Sequence, residues 1–444
     1  MTSSRLPAMI AAAGLVAWIT SAAIVWLAAS PLGHDEAQYA LSARDILAGT
    51  EARWFYLSSG MSFVSVLGVI AGDGEIAVRF PAVLLGIGFV LTAGGLAWRT
   101  YGAMTGAWTI AVLAGLRVFA GNAAELLSDL PATTFLLAGT LVMIEEVTKR
   151  DDGPRWRVLL AAPALAAALY LRYASCVPIA LLGLAVLAFG FRSIAKRPLP
   201  VIATAALFLA LLVPHLVTAM RETGSPLGIL MASKGVPGQT WIAQGLATYL
   251  TSNPVSYYGL LSPLVLLPGI VAPAMARDRA SLILWSVAIA DIVALGLISH
   301  AQARYIFFGL TLLVILGIEV IRRVIDGRRA VVIAAATAVA ISWILVARGQ
   351  LKRDTYRLET TQAIRAAAAA IRADAGSAPC FVVGDQFTQL EWYSGCTSAH
   401  FPWDSIATAK IYVVRTPSTA PVSTRGVPTV IATRPDVNVT RYDP

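Results

Sequence analysis

Hydrophobic positions in this chain fall in long blocks separated by short polar stretches. The first block, residues 7–29, carries no charge. At about 1.5 Å of rise per residue, roughly 20 such residues cross a bilayer. Further blocks predict spans over 76–98, 102–120, 132–147, 158–174, 177–191, 201–219, 257–275, 281–298, 305–320 and 330–346, eleven with the first. The stretch 54–70, apolar and aromatic but interrupted by Gly60 and Gly68, reads as a segment lying at the membrane interface. After Gln350 the pattern changes: 356–375 reads as an alanine-rich helix, 380–384, 410–415 and 428–433 as strands, and 387–393 as a helix. The expected fold is an all-α polytopic membrane bundle of about 11 transmembrane helices over residues 1–349, with an outer loop at 30–75. A small soluble α/β domain over 350–444 follows it.

Composition agrees with the blocks. Hydrophobic residues make up 57% of the chain and charged residues 13%, against about 25% charged in soluble domains. The net charge of +9 would raise the question of nucleic acid in a soluble protein. Here the basic residues sit in short loops: Arg99; Lys149, Arg150, Arg155 and Arg157; Arg192, Lys196 and Arg197; Arg277 and Arg279; Arg322, Arg323, Arg328 and Arg329. All fall on one side if Met1 is cytoplasmic, so they orient the bundle and argue for no nucleic-acid partner. An odd number of spans then places the region after Gln350 outside the cytoplasm. The first block has only Arg5 before it and no convincing cleavage site, so it reads as a retained span, a cleaved signal peptide being the weaker reading. Three cysteines are too few for a disulfide scaffold. Cys380 and Cys396 fall on the oxidising side, where their spacing leaves a bond open, and Cys176 reads as a small packed hydrophobe.

Candidate chemistry gathers in three outward loops. The first, directly after the first span, carries His34, Asp35 and Glu36, followed by Tyr39, in a segment that reads as a short amphipathic surface helix ending near Gly49. The second carries Glu125 and Asp129 before Pro131, and the third reads Ser299-His300-Ala301-Gln302-Ala303-Arg304-Tyr305. One outer cavity is expected to collect these groups. A carboxylate there takes a proton from an acceptor hydroxyl or holds a divalent cation, and Arg304, with Tyr305 beside it, forks onto phosphate oxygens. The bland alternatives are a solvated helix start for Asp35 and Glu36, a solvated loop charge for Glu125 and a snorkelling span end for Arg304. Asp291, in mid-span, reads equally as a site residue or as the partner of another group inside the bundle, and stays outside the predicted site.

The pattern Asp35-Glu36-x-x-Tyr39-Ala40 after the first span, then Ala43-Arg44-Asp45-Ile46-Leu47-Ala48-Gly49, resembles the first outer loop of GT-C membrane glycosyltransferases. The group it resembles most is the bacterial relatives of the dolichyl-phosphate-mannose protein mannosyltransferases and of the lipid A aminoarabinose transferase. The resemblance continues through Gly74-Glu75 to Arg79-Phe80-Pro81, Leu127-Ser128-Asp129-Leu130-Pro131 and Arg304-Tyr305, and covers about residues 1–320. It implies a base or metal ligand at Asp35 with Glu36 adjacent, a second acid at Asp129 that helps hold a cation or the acceptor, and a phosphate grip at Arg304 and Tyr305. Many relatives carry a Lys-Pro-Pro element where this chain has Leu57-Ser58-Ser59-Gly60-Met61, so Arg53 or Lys234 is expected to substitute. A divalent ion (Mg, Mn or Zn) at Asp35 and Asp129 is a possible cofactor.

The function expected is inverting transfer of a sugar from a polyprenyl-phosphate donor to an extracytoplasmic lipid, envelope polysaccharide or protein, in the bacterial inner membrane among membrane lipids. Two other classes compete: a transporter or flippase of a lipid-linked or anionic solute, and an inert scaffold that displays the C-terminal domain. Polar groups at one face and the absence of an evident inverted repeat weigh against transport.

Overall fold

The computed structural model describes residues 5–50, 54, 57–148, 156–196, 198–232, 242–299, 301–325, 328–384, 386–398, 410–415, 427–434 and 437–443, with the backbone alone for 354–361, 415, 427, 433–434, 437 and 443. Among these residues eight helices are long and apolar enough to cross a membrane: Arg5–Leu27, Glu75–Tyr101, Asp129–Thr148, Tyr173–Lys196, Pro198–Thr223, Arg279–Ile298, Ala303–Ile325 and Arg329–Arg353. The chain is thus a multi-pass membrane protein with a β-containing C-terminal extension. The other three expected spans are helical over shorter lengths. Residues 102–120 hold helices Ala103–Gly115 and Arg117–Ala120, the helical stretch in 158–174 is Trp156–Leu171, and 257–275 is divided among short helices that include Ser262–Ile270 and Ala272–Met275. Proline accounts for part of the last division, since Pro263 and Pro273 sit in the first turns of these two helices and lack the amide hydrogen that continuing a preceding helix needs.

The fold divides into two compact units. The first comprises 1–24, 54–64 and 80–350. Its interior is lined by an aromatic row, Trp18, Phe89, Phe119 and Phe307, with successive ring centroids 5.8, 5.4 and 4.9 Å apart. Helix Ala303–Ile325 is the most enclosed of the spans, while Pro198–Thr223 and Arg329–Arg353 keep most of their apolar side chains outward, as lipid-facing helices do.

The second unit comprises 25–53, 65–79 and 351–444, so the C-terminal end of the first span, the acidic loop and the start of helix Glu75–Tyr101 fold with the C-terminal region. The alanine-rich stretch continues the last span as one 47-residue helix, Arg329–Ala375. Ile364, Ala367, Ala368, Ile371 and Ala375 recur at helical spacing and bury one stripe against Val382, Leu390, Tyr412, Val414 and Val439. These come from a five-stranded sheet, β1 Cys380–Val383, β2 Thr397–Ser398, β3 Lys410–Arg415, β4 Val427–Arg434 and β5 Val437–Asp443, in the order β2-β1-β3-β5-β4. β1 pairs in parallel with β2 and β3, whereas β5 is antiparallel to both β3 and β4. Between β1 and β2 lies helix Phe387–Ser394, ended by Gly395 at φ +79°, a conformation glycine adopts without strain. A disulfide joins Cys380 to Cys396 and closes the segment that carries this helix.

Candidate functional site

The acidic loop is built by the second unit. Helix His34–Ala48 starts at Gly33, whose amide donates to Glu36 Oε2 at 2.7 Å, one half of a capping box, and ends at Gly49 with φ +68°. Glu36 is buried. Its two oxygens accept from Arg79 Nε and Nη2, each at 2.7 Å, in a bidentate fork, and Arg79 also donates to the Ser30 and Pro31 carbonyls at 2.6 and 3.1 Å. The carboxylate next to it, Asp35, is half-buried in the first helical turn, where the helix dipole favours negative charge. Tyr39 is buried one turn further on.

Helix Phe387–Ser394 grips this loop at several points. Thr388 Oγ1 lies 3.0 Å from His34 Nδ1 and donates to the His34 carbonyl at 3.2 Å, and the Phe387 ring meets His34 edge-on at 5.1 Å. Gln389 donates to the Leu32 carbonyl at 2.8 Å, while Leu32 N–H donates to the Tyr393 hydroxyl at 2.8 Å. Tyr393 in turn donates to Glu75 at 2.8 Å, and Arg365 pairs with the same carboxylate. Burial, with the Glu75 carboxylate beside it, pushes the Tyr393 phenol above its ordinary value, so its hydroxyl keeps its proton. The Arg44 guanidinium lies over the Trp392 ring, 3.5 Å from its centroid.

The first unit holds the second group of residues. Asp129 opens helix Asp129–Thr148, where the exposed helical amides favour a carboxylate. It is buried, and two guanidiniums converge on it: Arg172 Nη1 lies 3.1 Å from Oδ1 and Arg304 Nε 3.7 Å from Oδ2. Tyr305 lies near both cations, its ring centroid 5.0 Å from the Arg172 and 5.7 Å from the Arg304 guanidinium carbon. Arg172 owes its place to an extended residue (φ −155°, ψ 113°) that interrupts two apolar helices. Arg304 owes its place to the loop before it. There Ala301 is held at φ +64°, Tyr257 donates to the Ala301 carbonyl at 2.8 Å, and Tyr249 donates to the Gln302 carbonyl at 3.0 Å. Burial pushes the Tyr249 phenol up to about 12, so it remains a donor across the physiological range.

Two arginines share the Asp129 carboxylate, and both guanidiniums are partly exposed. Such an arrangement is suited to a phosphate. It suits a divalent cation poorly, because both oxygens of Asp129 already face guanidiniums, and among the described residues no three His, Cys, Asp or Glu side chains gather as ligands.

Of the expected site, then, Asp129, Arg304 and Tyr305 come together, with Gln302 in the loop that carries Arg304 and Tyr305. Glu125 is buried in the turn that precedes Asp129. His34, Asp35, Glu36 and Tyr39 belong to the other unit. Arg53, Lys234 and His300 lie outside the described residues. Arg172 was missed from the sequence, although a charged residue near the end of an otherwise apolar block was a usable signal. Asp291 is fully buried and accepts the Gly309 N–H at 3.0 Å, capping the first turn of helix Phe307–Ile325. It also lines a void of about 10 Å³ with Arg172 and Tyr305.

Comparison with known proteins supplies the fold. Residues 62–217 match the family model of dolichyl-phosphate-mannose-protein mannosyltransferase. The structure is similar to that of ArnT from Cupriavidus metallidurans in the apo state, with a TM-score of 0.69 at 14% identity over 99% of this chain and 98% of that one. It is also similar to ArnT bound to undecaprenyl phosphate, with a TM-score of 0.66 at 16% identity over the same shares. A further likeness is the archaeal oligosaccharyltransferase AglB from Archaeoglobus fulgidus, with a TM-score of 0.59 at 12% identity over 91% of this chain and 69% of that one. Among curated proteins, none matches the chain by sequence. The chain shares the fold of these proteins, the GT-C fold.

Proposed function

We propose that this protein is an inverting glycosyltransferase that moves one sugar from a polyprenyl-phosphate donor to an extracytoplasmic acceptor at a bacterial inner membrane. The observation that carries the reading is the convergence of Arg172 and Arg304 on the buried Asp129. In it Asp129 anchors two arginines, and their outer N–H groups hold the donor phosphate. As the sugar–phosphate bond breaks, charge develops on the leaving oxygen, and preorganised guanidiniums stabilise it. The likeness to ArnT bound to undecaprenyl phosphate supports a donor of that class. The role of base goes to Asp35, by resemblance of its loop and because Glu36 is committed to Arg79. In inverting transfer the acceptor hydroxyl attacks the anomeric carbon on the face opposite the phosphate, gives its proton to the base, and polyprenyl phosphate departs.

The test is transfer of label from a radiolabelled polyprenyl-phosphate sugar in membranes that carry the intact protein, Asp35→Asn or Arg172→Ala. Asp35→Asn is expected to abolish transfer at normal membrane insertion, and Arg172→Ala to raise the donor KM at least about tenfold, the loss of a charge-assisted contact. Full activity in Asp35→Asn defeats the reading. Label that stays in the carrier while the carrier crosses the membrane faster identifies a transporter instead.

A further inference from the structure

The end of the first unit that carries the arginine-rich loops holds a polar cavity of about 740 Å³. Four arginines, Arg99, Arg279, Arg322 and Arg323, line it against three carboxylates, Glu145, Asp278 and Glu319. The pairing is uneven. Glu319 receives both Arg322 and Arg323, and Arg99 Nε donates to Glu145 at 2.6 Å. Arg279 is exposed and makes one hydrogen bond, to Ser193 Oγ at 3.3 Å, with no carboxylate partner among the described residues. A guanidinium has five N–H donors, so most of the binding capacity of Arg279 is left for an incoming anion.

A second cavity, of about 700 Å³, lies in the same unit and is apolar. Leu6, Trp108, Leu264, Ile321 and Ala335 are among its walls, drawn from five helices. One charged side chain lines it, Arg322, and Arg322 lines the polar cavity as well. A crevice for a hydrocarbon chain therefore meets a cavity with an excess of positive charge at a shared arginine. A free anion would leave the apolar part empty, and a neutral lipid would leave Arg279 unmatched. Basic pockets between helices on the cytoplasmic side bind anionic head groups by this combination.

We propose that the two cavities bind one anionic phospholipid of the leaflet on the arginine-rich side. Its phosphate lies against Arg279 and Arg322, and one acyl chain fills the apolar cavity. The site is independent of sugar transfer, since none of its residues belongs to the group around Asp129.

The experiment uses the full-length protein in a neutral detergent and follows thermal unfolding and native mass spectra with phosphatidylglycerol, with phosphatidylcholine of the same chains, and with inorganic phosphate. Phosphatidylglycerol is expected to raise the unfolding temperature and to persist as a one-to-one adduct, the other two doing neither. Arg279→Gln should weaken its binding about tenfold, the loss of one charge-assisted contact. Ala335→Trp, which fills the apolar cavity and leaves every arginine in place, should weaken it as much. Equal binding of phosphatidylcholine overturns the proposal, as does stabilisation by phosphate alone or wild-type affinity in either variant when folded.

Discussion

Replacing Arg79 by leucine puts the acidic loop to its most direct test. The Arg79 side chain is fully buried and holds the Glu36 carboxylate through two 2.7 Å hydrogen bonds and the Ser30 and Pro31 carbonyls through two more. Its removal leaves a buried carboxylate without its cation and two carbonyls without that donor. Breaking a buried pair from one side costs about 3–5 kcal/mol, and hydrogen bonds to charged groups contribute about 1.5–3 kcal/mol each, so about 4 kcal/mol of local stability should be lost. Arg79→Lys keeps the charge but replaces a planar fork by a single ammonium, and about half the loss is expected. Arg79→Leu combined with Glu36→Leu removes both charges and should recover at least about 2 kcal/mol of the single-variant loss. Limited proteolysis of residues 30–50 in detergent-solubilised full-length protein reads the opening free energy directly when reclosing is fast. A loss under about 1 kcal/mol for Arg79→Leu, or a double variant as unstable as the sum of the singles, would refute the reasoning.

Three further outcomes are expected. Reducing the Cys380–Cys396 bond, or replacing both cysteines by serine, opens a loop of sixteen-residue separation and should destabilise the C-terminal sheet by about 3 kcal/mol. Hydrogen exchange at β1 and β3 measures this, and unchanged protection would contradict it. Tyr393→Phe removes the acceptor of Leu32 N–H and the donor to Glu75, so amide exchange at Leu32 should speed up by a factor that corresponds to about 1–3 kcal/mol; wild-type exchange there would count against the contact. The third concerns acid. The hydrogen bond from Tyr412 at 2.6 Å, opposed by burial and reinforced by the Arg441 guanidinium and the Lys410 ammonium, holds the Asp374 carboxyl below its ordinary value. Its folded-state value lies below its unfolded one, so the stabilisation is complete above about pH 4–5 and is lost as pH falls through the lowered value. Protection of the sheet should fall with acid in the intact protein, and this step should be missing in Asp374→Asn.

Much of the bundle was legible because the bilayer imposes a simple rule: a span needs about 20 apolar residues, and eight of the expected segments meet it as single helices. Segments 102–120, 158–174 and 257–275 differ because internal breaks at glycine, proline and Arg172 divide them, and hydropathy averages over such breaks. Strand β5 was not expected from the sequence, although Val437, Val439, Thr440 and Tyr442 are residues that strands favour; Asn438, Arg441 and Asp443 among them leave no apolar run, and it is pairing with β3 and β4 that places the segment in the sheet.

By itself the sequence determined the membrane class, the acidic loop after the first span, the late Arg304-Tyr305 pair and the change of character after Gln350. These are local properties, read from composition and spacing within a few turns of chain. Only the tertiary structure decided that Glu36 belongs to Arg79, that Asp129 is held between Arg172 and Arg304, and that the 387–394 helix fastens the loop around His34. Those pairs are separated in sequence by 43 residues for Glu36 and Arg79 and by 354 for His34 and Thr388. A charge in an isolated segment carries no mark of its partner, because the partner is chosen by which helices and strands pack together and by the high cost of leaving either charge buried alone.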